Sequence, residues 1–278
     1  MESLKVLIPT DFSVQAEYAY LMVKKLEEKI PVEIHFLHVL NVPDTVTMDK
    51  NGNIDTCGEI NLDFVISQKN IAERKLNDLK TIYGESVQTH FVLGKVTDQI
   101  VMYSEQNKFD LIAMGTKGSW GIKETLSGSE VQVISRHSKI PLLSLMCDRS
   151  DLLIENVLLV HDFTNSKNEN LDLLHKLISA FNTKAHLLQI ITDQSEEDKK
   201  TILQKMDLFA TLNSITNYEK HLLNDTDIES GVIHFNQMHE MDIICIGNKG
   251  KSGFLNKSTT EKLVAHLFKP IISFHLNN

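Results

Sequence analysis

Glycines spaced as Gly115-x2-Gly118-x9-Gly128-Ser129 lie between an apolar run, Asp110-Leu111-Ile112-Ala113-Met114, and a helix-like segment, Glu130–Ser138. A strand that runs into a glycine-rich loop and then a helix N-terminus can hold phosphate. Glycine lets the backbone approach closely and reach positive φ, successive N–H groups point inward, and the helix dipole favours an anion. Lys117 and Lys123 are available to a phosphate or to a solvated loop, and Trp120 is placed either to cover a ligand or to anchor the loop. Other chemistry is missing. There is no G-x4-G-K-[ST] and no G-x-S-x-G. The 12 histidines are scattered: His35 and His38 fall on opposite faces of one strand, and His234 and His239 are five apart on a helix. No metal-ligand motif emerges from them. Asp11 and Glu130 are carboxylates near the glycine loop, but nothing places either on an attacking water.

The elements around the loop alternate. Residues 4–9 and 32–40 read as buried strands, with a helix over roughly 14–29 between them and Ser13 at its N-cap. Residues 41–63 are polar and turn-rich without a period, which predicts a lid or a disordered segment. A helix over roughly 64–83 ends at Gly84. Then come a strand at 87–93, a helix at 98–107, the strand 110–114, the helix 130–138 and a fifth strand at 140–146. Pro141 at its start suits a sheet edge. Strand–helix alternation implies right-handed βαβ units around a parallel sheet. Ligands of such sheets sit beyond the carboxyl ends of the strands, and Asp11, Val39 and Gly115 all fall there. Asp110 and Asp242, which precede equivalent strands, read as capping or turn residues.

The pattern then repeats. Asn156–Thr164 matches Lys5–Ser13, Ala185–Ile191 matches Ile34–Leu40, Asp242–Gly250 matches Asp110–Gly118, and Pro270–Phe274 matches Pro141–Leu145. Four matched segments in one order mean a tandem duplication, which divides the 278 residues into domains at 1–147 and 152–278 with the polar junction Cys147–Asp151 between them. In the second copy Asp162 and Ile190 stand where Asp11 and Val39 do, and Gly247 and Gly250 survive. Lys257 and Ser258 replace Gly128 and Ser129 after a shorter spacer, so this copy is expected to be a degenerate site.

These residues resemble the universal stress protein (UspA) family in its tandem form. PTDFS after the first strand, HV after the second and G-x2-G-x9-G-S after the fourth carry the resemblance, and the last is the signature of the family's ATP-binding branch. The resemblance implies two Rossmann-like α/β domains of the adenine nucleotide α hydrolase type, each a five-stranded parallel sheet with helices on both faces. It implies ATP, or ADP or AMP, in the first domain, accompanied by Mg²⁺ or Mn²⁺. Pro9, Thr10 and Asp11 would line the ribose or adenine side, and the Val39 backbone would meet the adenine edge. Met114, Gly115 and Gly118 would line the ribose and phosphates, and Gly128, Ser129 and the Glu130 amide would hold the phosphates. The fifth strands, 141–146 and 270–276, would pair within the chain as a pseudo-dimer, which leaves room for a homodimer of chains. The expected function is regulatory nucleotide binding; the alternatives are a stress scaffold for another ligand or protein, and a slow ATP hydrolase.

A net charge of −9 argues against a broad nucleic-acid surface. No run approaches the 18 or so apolar residues of a membrane span, and the N-terminus passes straight into a strand without a signal peptide pattern. Cys57, Cys147 and Cys245 form no framework and fit a reducing cytoplasm.

Overall fold

The computed structural model describes residues 3–116, 130–163, 171–192, 198–248, 263 and 266–275. Its first half runs β1 (Leu4–Pro9), α1 (Val14–Glu27), β2 (Val32–Leu40), β3 (Val46–Met48), β4 (Ile54–Thr56), α2 (Leu62–Tyr83), β5 (Gln88–Leu93), α3 (Val96–Gln106), β6 (Leu111–Gly115), α4 (Glu130–His137) and β7 (Leu142–Leu145). The second half runs β8 (Asn156–Val160), α5 (Asp172–Phe181), β9 (Lys184–Ile191), α6 (Lys199–Leu212), β10 (Tyr218–Asn224), α7 (Ile228–His239), β11 (Ile243–Asn248) and β12 (Ile271–His275).

Among the described residues, ten strands form one sheet in the order β10-β9-β8-β11-β12-β7-β6-β1-β2-β5. Within each half all neighbours are parallel and the first and fourth strands lie side by side. The halves meet through an antiparallel pairing of β7 with β12, in which Leu143 faces Ile272. Alternate strand residues feed opposite faces, as a doubly covered sheet requires. Val6 and Ile8 join a core with α1, α2, α5 and α6 that is continuous across both halves. Leu7 joins a second core with α3 and α4, and Leu158 and Val160 a third with α7.

Asp110 and Asp242 lock equivalent corners. The Asp110 carboxylate accepts the Lys5 N–H at 2.8 Å, and Asp242 accepts from Glu155 and Asn156 at 2.9 and 2.8 Å. Each ties the start of a fourth strand to the start of a first strand, a tertiary clamp rather than a local cap.

Two expectations change. Pro141 does not mark a sheet edge: β7 lies between β6 and β12, in the middle of the sheet. The proline precedes the ladder, where its missing N–H costs nothing, and its carbonyl accepts the Ile112 N–H at 2.9 Å. Segment 41–63 is a structured flap. β3 and β4 form an antiparallel hairpin whose turn is held by Asp49, which accepts from the N–H groups of Asn51 and Asn53. Val42 and Val46 pack with Val65 of α2 in a small apolar cluster. Strands of three residues are too short to leave a period in the sequence.

Candidate functional site

The crevice at the carboxyl ends of β1, β2 and β6 is built from short-range constraints. Each half has the strand order 3-2-1-4-5, so the switch point lies between β1 and β6, where the chain leaves neighbouring strands toward opposite faces. Past β1, the Thr10 N–H bonds the Leu37 carbonyl at 2.9 Å and continues the ladder by one step. The turn is then closed by side chains. Thr10 Oγ1 accepts the Phe12 N–H at 2.9 Å, and Asp11 Oδ1 accepts the Ser13 N–H at 3.0 Å. Phe12 is held at φ 64°, and His38 Nδ1 donates to the Thr10 carbonyl at 2.8 Å. That bond fixes the imidazole tautomer, while burial pushes the His38 pKa below its ordinary value despite the stabilising Thr10 bond. Ser13 occupies the N-cap position of α1 without a side-chain capping bond. Asp11 is exposed at the mouth, whereas Thr10 is buried.

β2 contributes backbone. The Leu37 carbonyl faces β1, where Thr10 reaches it, and the Leu40 carbonyl faces β5, where the Gly94 N–H reaches it. Parallel-strand residues alternate in the side to which their peptide groups point. Val39 therefore presents both N–H and C=O toward β1, two residues past the last β1–β2 ladder pair, Pro9 and Leu37. This is a strand edge opened by the departure of its neighbour.

β6 contributes Met114 and Gly115, with Met114 buried in the core. Gly115 has a reason that the sequence does not show. A Cβ there would lie 1.8 Å from the Gln15 carbonyl oxygen and 2.3 Å from its carbon. The first turn of α1 is laid directly on the end of β6, and only hydrogen fits between them. Glu130 opens α4 as an exposed first-turn acid, favourable next to the helix N-terminus. Lys117, Gly118, Trp120, Lys123, Gly128 and Ser129 lie outside the described residues.

The second half repeats the turn with different atoms. Phe163 is again at positive φ, 54°, but its N–H is accepted by His161 Nδ1 at 2.7 Å in place of a threonine hydroxyl. The His161 ring is buried against Phe163 and Phe209 of α6. Ile190 keeps Val39's orientation, since the Leu188 and Ile191 carbonyls accept the N–H groups of His161 and Asp225. Asp162 and Gly247 stand at the ends of β8 and β11, while Gly250, Lys257 and Ser258 lie outside the described residues. An open concavity of about 390 Å³ lies at the ends of β9 and β10, lined by Ile191, Thr192, Asn224, Asp225 and Thr226.

One grouping escaped the sequence reading. His186, Glu219 and His221 converge near the start of β9 and β10. An E-x-H on one strand beside a histidine on its neighbour was the available signal, and only strand register joins them.

The universal stress protein family model matches residues 3–145. The chain belongs to the universal stress protein family. Among curated relatives, universal stress protein MJ0531 of Methanocaldococcus jannaschii is 25% identical over 139 residues, covering 50% of this chain and 79% of that one. Universal stress protein MJ0577 of the same organism is 29% identical over 150 residues, covering 50% and 92%. A universal stress protein structure from Archaeoglobus fulgidus superposes over 99% of this chain and 97% of its own, with a TM-score of 0.74 at 19% identity. That likeness extends the family fold over both halves. No helix among the described residues is long and apolar enough to cross a membrane.

Proposed function

We propose that this universal stress protein binds ATP, or a related adenine nucleotide such as ADP or AMP, in the crevice of its first half and uses it as a regulatory ligand. The observation that carries the reading is the Val39 strand edge. A peptide N–H and C=O aimed past the end of β1 match the donor–acceptor edge of adenine. They lie across the switch point from the chain that enters the glycine loop. Asp11, exposed beside this edge, would accept from the ribose hydroxyls, with Pro9 and Thr10 as the floor. Met114 and Gly115 lead into the loop, where Gly118, Gly128, Ser129 and the Glu130 amide would hold the phosphates. Mg²⁺ or Mn²⁺ would neutralise the triphosphate there.

Binding without rapid turnover follows from the roles available. Thr10 and His38 are engaged in holding the β1–α1 turn rather than in activating water. The domains, 1–147 and 152–278, form a pseudo-dimer through β7 and β12 in this proposal, the second being a degenerate copy. Its His161 fills with an aromatic ring the position of Thr10, and Lys257 and Ser258 replace the phosphate glycine and its serine. Because the fifth strands are used internally, a homodimer would have to employ the β5 or β10 edge or a helix face. The test is calorimetric titration of the chain with Mg-ATP. One site is expected, weakened about tenfold or more by Asp11→Asn, as for the loss of a charged hydrogen bond. Unchanged affinity in that variant would remove Asp11 from the site.

A further inference from the structure

The second half carries a set of side chains that the nucleotide reading does not use. We propose that His186, Glu219 and His221 form a binding site for a divalent transition metal of the zinc class at the starts of β9 and β10, in the other half of the sheet from the nucleotide crevice.

Strand register builds it. His186 on β9 is paired with Glu219 on β10, and Leu188 with His221. Residues two apart share a face, so all three side chains stand on the face covered by α7. His186 Nδ1 lies 3.0 Å from His221 Nε2, and Glu219 Oε2 lies 3.8 Å from each of these nitrogens. From those separations, the point equidistant from the three atoms is about 2.1 Å from each, which is the bond length of zinc to imidazole nitrogen and carboxylate oxygen. Two histidines and one carboxylate, with a fourth position left to water, is a coordination set that zinc takes.

The surroundings prepare the ligands. The Asn156 carboxamide oxygen accepts from His186 Nε2 at 3.1 Å. This fixes the proton on Nε2 and leaves the Nδ1 lone pair directed at the site, as an outer partner does for a metal-bound histidine. Without metal, His221 Nε2–H donates to that lone pair. Metal binding needs only the shift of this proton to His221 Nδ1, with no change in net charge of the ring. Lys184 holds the other Glu219 oxygen, and His239, in the last turn of α7, has its ring centroid 5.3 Å from that of His221. The C-terminal end of a helix favours a cation. Glu219 is half exposed and leaves an entry path.

The chain contains its own control. In the first half His35 and His90 stack in the same way, with Nδ1 to Nε2 at 2.8 Å and ring centroids 5.1 Å apart, against 5.1 Å for His186 and His221. But Gln88 occupies the register position of Glu219, and the nearby carboxylate of Glu33 lies on the far nitrogen of His35. The histidine pair is common to both halves; the carboxylate on its lone-pair side belongs to the second half.

The test is titration of the chelator-stripped full chain with Zn²⁺ by calorimetry, with thermal unfolding in parallel. The wild type is expected to bind one Zn²⁺ at this site and to melt higher when loaded. Glu219→Gln, which reproduces the first-half pattern at an exposed position, is expected to weaken that binding by about tenfold or more and to abolish the melting shift. His221→Gln should do the same, and His90→Gln should leave it unchanged. Absence of zinc binding by the wild type overturns the proposal, as does zinc binding that Glu219→Gln and His221→Gln leave intact.

Discussion

Gly115→Ala tests the packing of α1 on the end of β6. The added Cβ would lie 1.8 Å from the Gln15 oxygen, and a tolerated contact needs roughly 3.2 Å or more, so α1 and β6 must part by about 1.4 Å. The obstacle is backbone, and no rotamer relieves it. The helix that must move buries Ala16, Ala19, Tyr20, Met22, Val23 and Leu26 against the sheet. Overpacking usually costs 1–3 kcal/mol, and a displaced backbone places this change at or above the upper end, about 3 kcal/mol. With a urea m-value of about 2–3 kcal/mol/M, the unfolding midpoint should fall by about 1–1.5 M. Gly84→Ala is the matched control. Its φ of 100° strains an alanine, but nothing lies within 4 Å of the added atom, so the expected loss is about 1 kcal/mol. A Gly115→Ala midpoint equal to wild type would show that α1 does not require this glycine. If the loss is found, loss of nucleotide binding in the same variant says nothing about a phosphate contact.

Further expectations follow from the seam, the clamps and the first-half histidines. Leu143→Asp puts a carboxylate opposite Ile272, where both side chains are fully buried, and should cost more than about 4 kcal/mol in chemical denaturation. Asp242→Ala strands two N–H groups and Asp110→Ala one, so the former should lose more, about 1–3 kcal/mol, by urea midpoint. His90 is pushed down to about 4 by burial, then by His35, Lys5 and Lys80, while Glu33 holds His35. A histidine lowered in the folded state contributes no penalty above its unfolded value near 6.5. Stability is then lost as pH falls toward 4, where the folded protein also protonates, by at most roughly 3 kcal/mol. His90→Gln should flatten that part of the stability–pH curve, and an unchanged slope would count against it.

The alternation of strands and helices was legible because the strands are buried on both faces and read as apolar runs. Four matched segments also exposed the duplication. The β3–β4 hairpin was not legible, since three-residue strands carry no period and their order comes from Asp49 and from packing on α2. Pro141 was misjudged because a proline at a strand start fits an edge and an interior strand equally until the partner is known. Asp11, Val39 and Gly115 were read correctly as strand-end neighbours, but the direction of the Val39 peptide groups depends on where β1 stops. The purpose of Gly115 depends on the path of α1. The histidine clusters were invisible for the same reason. His186 and His221 are 35 residues apart and meet only through the β9–β10 register.

The most direct measurement of the nucleotide claim is the ligand content of the purified chain, read by mass spectrometry after denaturation and, for protein stripped of ligand, by titration with Mg-ATP. About one adenine nucleotide per chain is expected, lost in Gly128→Val while the fold persists. Two per chain would contradict the degenerate second copy, and none, with no binding of added Mg-ATP, would contradict the central proposal.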